Sequence, residues 1–148
     1  MKKMLGLLFV FVAINSYSQS KHYNTKKGYV ANGYDVVSYF DGVPLQGKKE
    51  FTGQNDGVRY KFANQVNLEK FKADPSKYVP KYGGYCAYAV AVSGKKVSVN
   101  PETFEIRNGE LYLFYNSGKN NTLELWLTEG PTELKLNADR NWEEISRK

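Results

Sequence analysis

Phe71-Lys72-Ala73-Asp74-Pro75-Ser76-Lys77-Tyr78-Val79-Pro80-Lys81-Tyr82-Gly83-Gly84-Tyr85-Cys86-Ala87-Tyr88-Ala89-Val90 is the stretch around which the rest of the chain is organised. It holds two of the five prolines, a Gly-Gly pair, four tyrosines and the only cysteine. Asp74-Pro75 reads as a helix stop and restart, because Asp accepts from orphan N–H groups and Pro is pre-set for a first helical position. Gly83-Gly84 offers backbone without Cβ, against which Tyr82, Tyr85 and Tyr88 can crowd around the segment presenting Cys86.

Outward from this stretch the elements follow local rules. Downstream, residues 87–92 are small and apolar and predict a buried helix, stopped at Ser93-Gly94. Thr103-Phe104-Glu105-Ile106-Arg107 and Glu110-Leu111-Tyr112-Leu113-Phe114-Tyr115 flank Asn108-Gly109, the signature of a two-residue hairpin turn. Asn121-Thr122-Leu123-Glu124-Leu125-Trp126-Leu127 predicts an amphipathic helix ending at Gly130-Pro131, and a last helix over about 132–145 carries Leu134, Leu136, Ala138 and Trp142. Upstream, Glu50-Phe51-Thr52-Gly53-Gln54 and Val58-Arg59-Tyr60-Lys61-Phe62 alternate as strands around the turn Asn55-Asp56-Gly57. Asn64 caps the following helix, in which Val66, Leu68 and Phe71 recur at helical spacing. Asp35 is placed to cap a short helical segment in Tyr34-Asp35-Val36-Val37-Ser38-Tyr39-Phe40, and 19–32 reads as a polar arm with a short strand.

Residues 1–18 have the form of a secretion signal: Lys2 and Lys3, an 11-residue apolar run from Met4 to Ile14, then Ser16-Tyr17-Ser18. The run is short of the roughly 20 residues needed to span a bilayer, so cleavage after Ser18 and a periplasmic or extracellular address are expected, with no membrane span in the mature protein. Loss of two lysines lowers the net charge from +6 to +4. The remaining lysines are scattered among glutamates, which argues against a nucleic-acid partner. At 148 residues, 41% hydrophobic and 15% aromatic, with 12 Tyr and 8 Phe, the chain predicts a single domain with an aromatic core.

The upstream hairpin, Phe62-Ala63-Asn64-Gln65-Val66-Asn67-Leu68-Glu69-Lys70-Phe71, Asp74-Pro75, Tyr78 and Tyr82-Gly83-Gly84-Tyr85-Cys86-Ala87-Tyr88 together resemble the YHS domain family, in its exported stand-alone branch. Gly33-Tyr34-Asp35-Val36-Val37-Ser38-Tyr39-Phe40 resembles the Gly-Tyr-Asp-x-Val-x-Tyr-Phe opening of that branch, and Asn141-Trp142 its usual finish. YHS domains occur in copper-transporting ATPases and hydroxylase components and are associated with heavy-metal binding. Here the pattern departs: metal-type members carry Phe-Cys-x-x-x-Cys ahead of the helix, whereas this chain has Ala63 and Asn67 in the two cysteine positions.

Three chemistries stand open for Cys86: a soft ligand for Cu(I) or zinc, a packed core residue, or a redox or nucleophilic thiol. One cysteine cannot form an internal disulfide, and His22 is the only histidine, so a Cys86–His22 pair is the candidate metal site. Asp35, Tyr82, Gly83, Gly84, Tyr85 and Tyr88 form the candidate pocket. Glu143-Glu144 reads as solvated surface, and no nucleophile triad, phosphate-binding loop or dinucleotide fingerprint is present. The sequence therefore predicts an exported α+β domain over 33–148, two antiparallel hairpins packed with short helices. Its expected role is non-catalytic binding or accessory work, for copper or another soft metal, set against a thiol enzyme using Cys86 and a structural or interaction module. Cofactor and physiological ligand stay open, copper being the metal these residues admit.

Overall fold

The computed structural model describes residues 20–148; the expected signal at 1–18 and its cleavage lie outside them. The fold is α+β. Its first layer is a four-stranded sheet in the order β1 (Thr25–Lys26), β2 (Tyr29–Val30), β4 (Val58–Phe62), β3 (Lys48–Asn55). β3 and β4 are an antiparallel hairpin whose turn, Asp56-Gly57, has both residues at positive φ, as the sequence predicts. β2 instead runs parallel to β4, with Tyr29 opposite Arg59. Helix α1 (Gln65–Ala73) lies on this sheet and brings Phe71 to 4.6 Å from the Tyr60 ring and 5.0 Å from that of Phe62. Asn64 caps α1 by accepting from the Asn67 N–H at 2.8 Å.

After α2 (Pro75–Tyr78) and α3 (Ala87–Ser93), the second hairpin joins β5 (Asn100–Arg107) to β6 (Glu110–Phe114) through Asn108-Gly109, at φ 51° and 76°. β7 (Asn116–Ser117) and β8 (Asn120–Asn121) form a small ribbon before α4 (Thr122–Glu129) and α5 (Pro131–Ser146). β6 organises the interior. Successive strand residues point to opposite faces, and Leu111 and Leu113 enter one core with Val30, Tyr60, Phe62 and Cys86, while Tyr112 and Phe114 enter a second with Tyr82, Val90, Trp126 and Ala138. All four β6 side chains are fully buried, so the strand is a partition between two cores. Trp126 fills the second core, 5.6 Å from Tyr112 and 5.5 Å from Phe114, and its indole N–H donates to Glu105 Oε2 at 2.8 Å.

The structure corrects three sequence expectations. Val66 is 63% exposed and Leu136 51% exposed, so neither belongs to the core; α1 turns Asn67 inward alongside Leu68 and Phe71. The described part of the expected arm, 20–32, is not separate from the domain: β1 and β2 complete the first sheet, and Val30 is fully buried in its core. His22 is accordingly no solvated arm residue, as the next subsection describes. No helix among the described residues is long and apolar enough to cross a membrane.

Candidate functional site

The turn Lys81–Gly84 is left-handed at Tyr82 (φ 56°), Gly83 (φ 61°) and Gly84 (φ 81°). What presses on its glycines is the N-terminal arm. A Cβ at Gly83 would stand 1.8 Å from the His22 carbonyl oxygen, so only glycine permits the crossing. The arm is held there by the Asn24 N–H donating to the Gly83 carbonyl at 2.8 Å and the Asn24 amide donating to the Gly84 carbonyl at 3.1 Å.

Helix α5 closes the other side. Asp139, Trp142, Glu143 and Ser146 recur at i, i+3, i+4 and i+7, which puts them on one helical face. Trp142 meets Tyr82 at 6.1 Å, Tyr85 at 6.2 Å and the His22 ring edge-on at 6.5 Å. Between arm, turn and α5 opens a cleft of about 770 Å³, its remaining wall supplied by Tyr23, Asp56, Ser76 and Val79. That volume lies in the range of small-molecule sites, roughly 300–1,000 Å³.

Most polar groups around the cleft are already matched. Tyr82 donates to Asp139 Oδ1 at 2.8 Å and Lys135 donates to Asp139 Oδ2 at 2.7 Å. Burial, then the carboxylate, push the Tyr82 hydroxyl well above its ordinary pKa; burial opposes ionisation of Asp139, but these two donors outweigh it and hold the acid below the usual range. Tyr23 donates to Asp56 Oδ2 at 2.6 Å, and Glu143 pairs with Arg147. The exception is His22, whose Nδ1 is buried with no partner among the described residues. Burial, followed by the positive charges of Lys96 and Lys21, lowers its pKa, so the imidazole is neutral at pH 7 and offers an unmatched nitrogen.

Of the pocket residues expected from sequence, Tyr82 and Gly83 line the cleft, and His22 joins them. Asp35, Gly84, Tyr85 and Tyr88 do not. Asp35 is fully buried and accepts from the N–H groups of Val37, Ser38 and Ala63 and from the Asn67 amide, so its carboxyl oxygens are used in holding the fold. Tyr85 backs Trp142, and Tyr88 turns away to donate to Glu129 at 2.9 Å. Cys86 is buried in the first core with Sγ 3.3 Å from the Thr122 hydroxyl, and it does not line the cleft with His22. Among the described residues no group of three or more His, Cys, Asp or Glu side chains is placed to share a metal ion. Sequence reasoning missed Tyr23, Asp56 and Asp139; the helical spacing of Asp139 with Trp142 was the one available signal.

Comparison with family models, curated proteins and solved structures finds no match to this chain.

Proposed function

We propose that this chain is an exported, non-catalytic binding domain of YHS type whose ligand occupies the cleft between the N-terminal arm and α5. The observation that carries the reading is the buried, unmatched His22 Nδ1 beside Trp142 and Tyr82: an apolar aromatic wall with one free polar anchor is the usual composition of a site for a small organic molecule. The ligand presents a flat or apolar face to Trp142 and one hydrogen-bonding group to the imidazole.

The donor chemistry favours an organic occupant over copper. In the positions where the resemblance would put two thiols, the Ala63 N–H and the Asn67 amide both donate to Asp35 Oδ2, at 2.8 and 2.7 Å. The residues present there suit a carboxylate, not a soft metal. Cys86, the one thiol, is sealed in the core against Thr122, which also argues against nucleophilic or redox use, since reactive cysteines are partly exposed.

Native mass spectrometry with elemental analysis, on the chain isolated from its own source, tests the proposal. An organic adduct retained by wild type and lost from Trp142→Ala and His22→Ala is expected. A stoichiometric metal lost from Cys86→Ser would overturn it.

A further inference from the structure

A second concavity, on the opposite chemistry, lies where β1, β2 and β4 meet. It measures about 430 Å³ and is lined by Lys26, Lys27, Tyr29, Gln46 and Lys61 among others, with no acidic residue in its lining. Tyr29, 6% exposed, is part of that lining; the Lys61 ammonium stands 4.2 Å from its ring centroid, and the Arg59 guanidinium, just outside the lining, stands 4.6 Å from it. The two cations can be no farther apart than the sum of those distances, which is within the roughly 10 Å Debye length at 0.1 M salt. None of Lys26, Lys27, Arg59 and Lys61 is in an ion pair with a described carboxylate; the recorded pairs all involve other residues. Beside the lining, Glu102 accepts from the Tyr34 hydroxyl at 3.4 Å.

Two glycines lie close against these basic residues. At Gly28, in the turn between β1 and β2, a Cβ would stand 2.4 Å from an Arg59 guanidinium nitrogen; at Gly47 it would stand 2.3 Å from Lys61 Cβ and 2.5 Å from its carbonyl carbon. The guanidinium at Gly28 could swing aside, whereas at Gly47 the Lys61 backbone and Cβ leave room for glycine alone. Cation–π contact with Tyr29 steadies each basic side chain but leaves the positive charge in place. A cleft walled by like charges with no internal counter-ion focuses a positive potential.

We infer that this concavity binds a compact multivalent oxyanion, a small molecule bearing two or more phosphate or carboxylate groups. A volume of about 430 Å³ suits a small molecule, and the ammonium groups of Lys26, Lys27 and Lys61 supply charge-assisted donors in its lining. The site is separate from the aromatic cleft and shares no lining residue with it.

Calorimetry with inorganic pyrophosphate and with citrate, at constant ionic strength, tests the inference on the full chain. Wild type is expected to bind at least one of the two. Lys61→Met and Lys27→Gln should each weaken binding by about tenfold or more, the value of one charge-assisted hydrogen bond. Lys95→Gln, at an exposed lysine outside the groove, should leave binding unchanged. Pyrophosphate binding without citrate binding assigns a phosphate ligand, and the reverse a polycarboxylate. Equal loss in all three variants, no binding of either probe, or tighter binding of a long polyanion such as heparin than of both would overturn it. Circular dichroism of each variant checks that the fold is intact, since Lys61 and Lys27 lie at the sheet surface.

Discussion

Asn67 donates its side-chain amide to Oδ2 of Asp35 over 2.7 Å, both residues being buried, and so ties helix α1 to the opening turn of the domain. The other oxygen of Asp35 accepts from the Val37 and Ser38 N–H groups at 2.9 and 3.2 Å. Removing the acceptor strands several donors at once, so Asp35→Ala should destabilise the protein by roughly 3–5 kcal/mol, whereas Asn67→Ala, which takes one of two donors from Oδ2 and leaves the Ala63 N–H, should cost about 1–3 kcal/mol. Urea denaturation of the two variants gives the comparison.

Gly83 and Gly109 both have positive φ but different surroundings. A side chain at Gly109 meets nothing within 4 Å, so Gly109→Val carries only the strain of the left-handed turn, about 1–3 kcal/mol. At Gly83 even a methyl group collides with the His22 carbonyl, so Gly83→Ala should exceed that loss despite its smaller size. It should also expose the arm to protease ahead of global unfolding, which limited proteolysis would read.

Stability should fall on mild acidification. His22 is neutral when docked, with its folded pKa below the ordinary 6.5, so the unfolded chain binds a proton more readily. The contribution of the docked imidazole is complete above about pH 6.5 and is lost as pH drops below that value and through the folded pKa. Lys21 and Lys96 oppose the protonated form, while Asp56, Asp139 and Glu143 line the same cleft. Melting curves from pH 8 to 5 should show a drop that is smaller in His22→Gln.

Cys86 should resist alkylation in the native protein and react once denaturant unfolds the core, because its Sγ is buried against Thr122. Rapid labelling of the folded protein by iodoacetamide would revive the thiol-enzyme reading.

The features legible in the sequence are those fixed by near neighbours. Asp56-Gly57 and Asn108-Gly109 make their turns because adjacent residues demand positive φ, and Asn64 caps α1 through an N–H three residues away. The site was only partly legible for the converse reason. His22 lies in a stretch as polar as any tail, and its burial follows from contact with Gly83 and Trp142, which are remote in sequence. Val66 and Asn67 illustrate the same limit: periodicity favours the apolar residue for the inner face, but the buried acceptor at Asp35 rewards the amide.

The meeting of His22 with Trp142 also governs when the molecule can finish folding. The first sheet and α1 can assemble from the earlier part of the chain, but the arm gains its far wall only after α5 has been synthesised. Closing so long a loop is slow, which makes this a late step: the arm can already hang on Gly83 and Gly84 through Asn24, but the His22 ring stays uncovered until the trailing helix arrives.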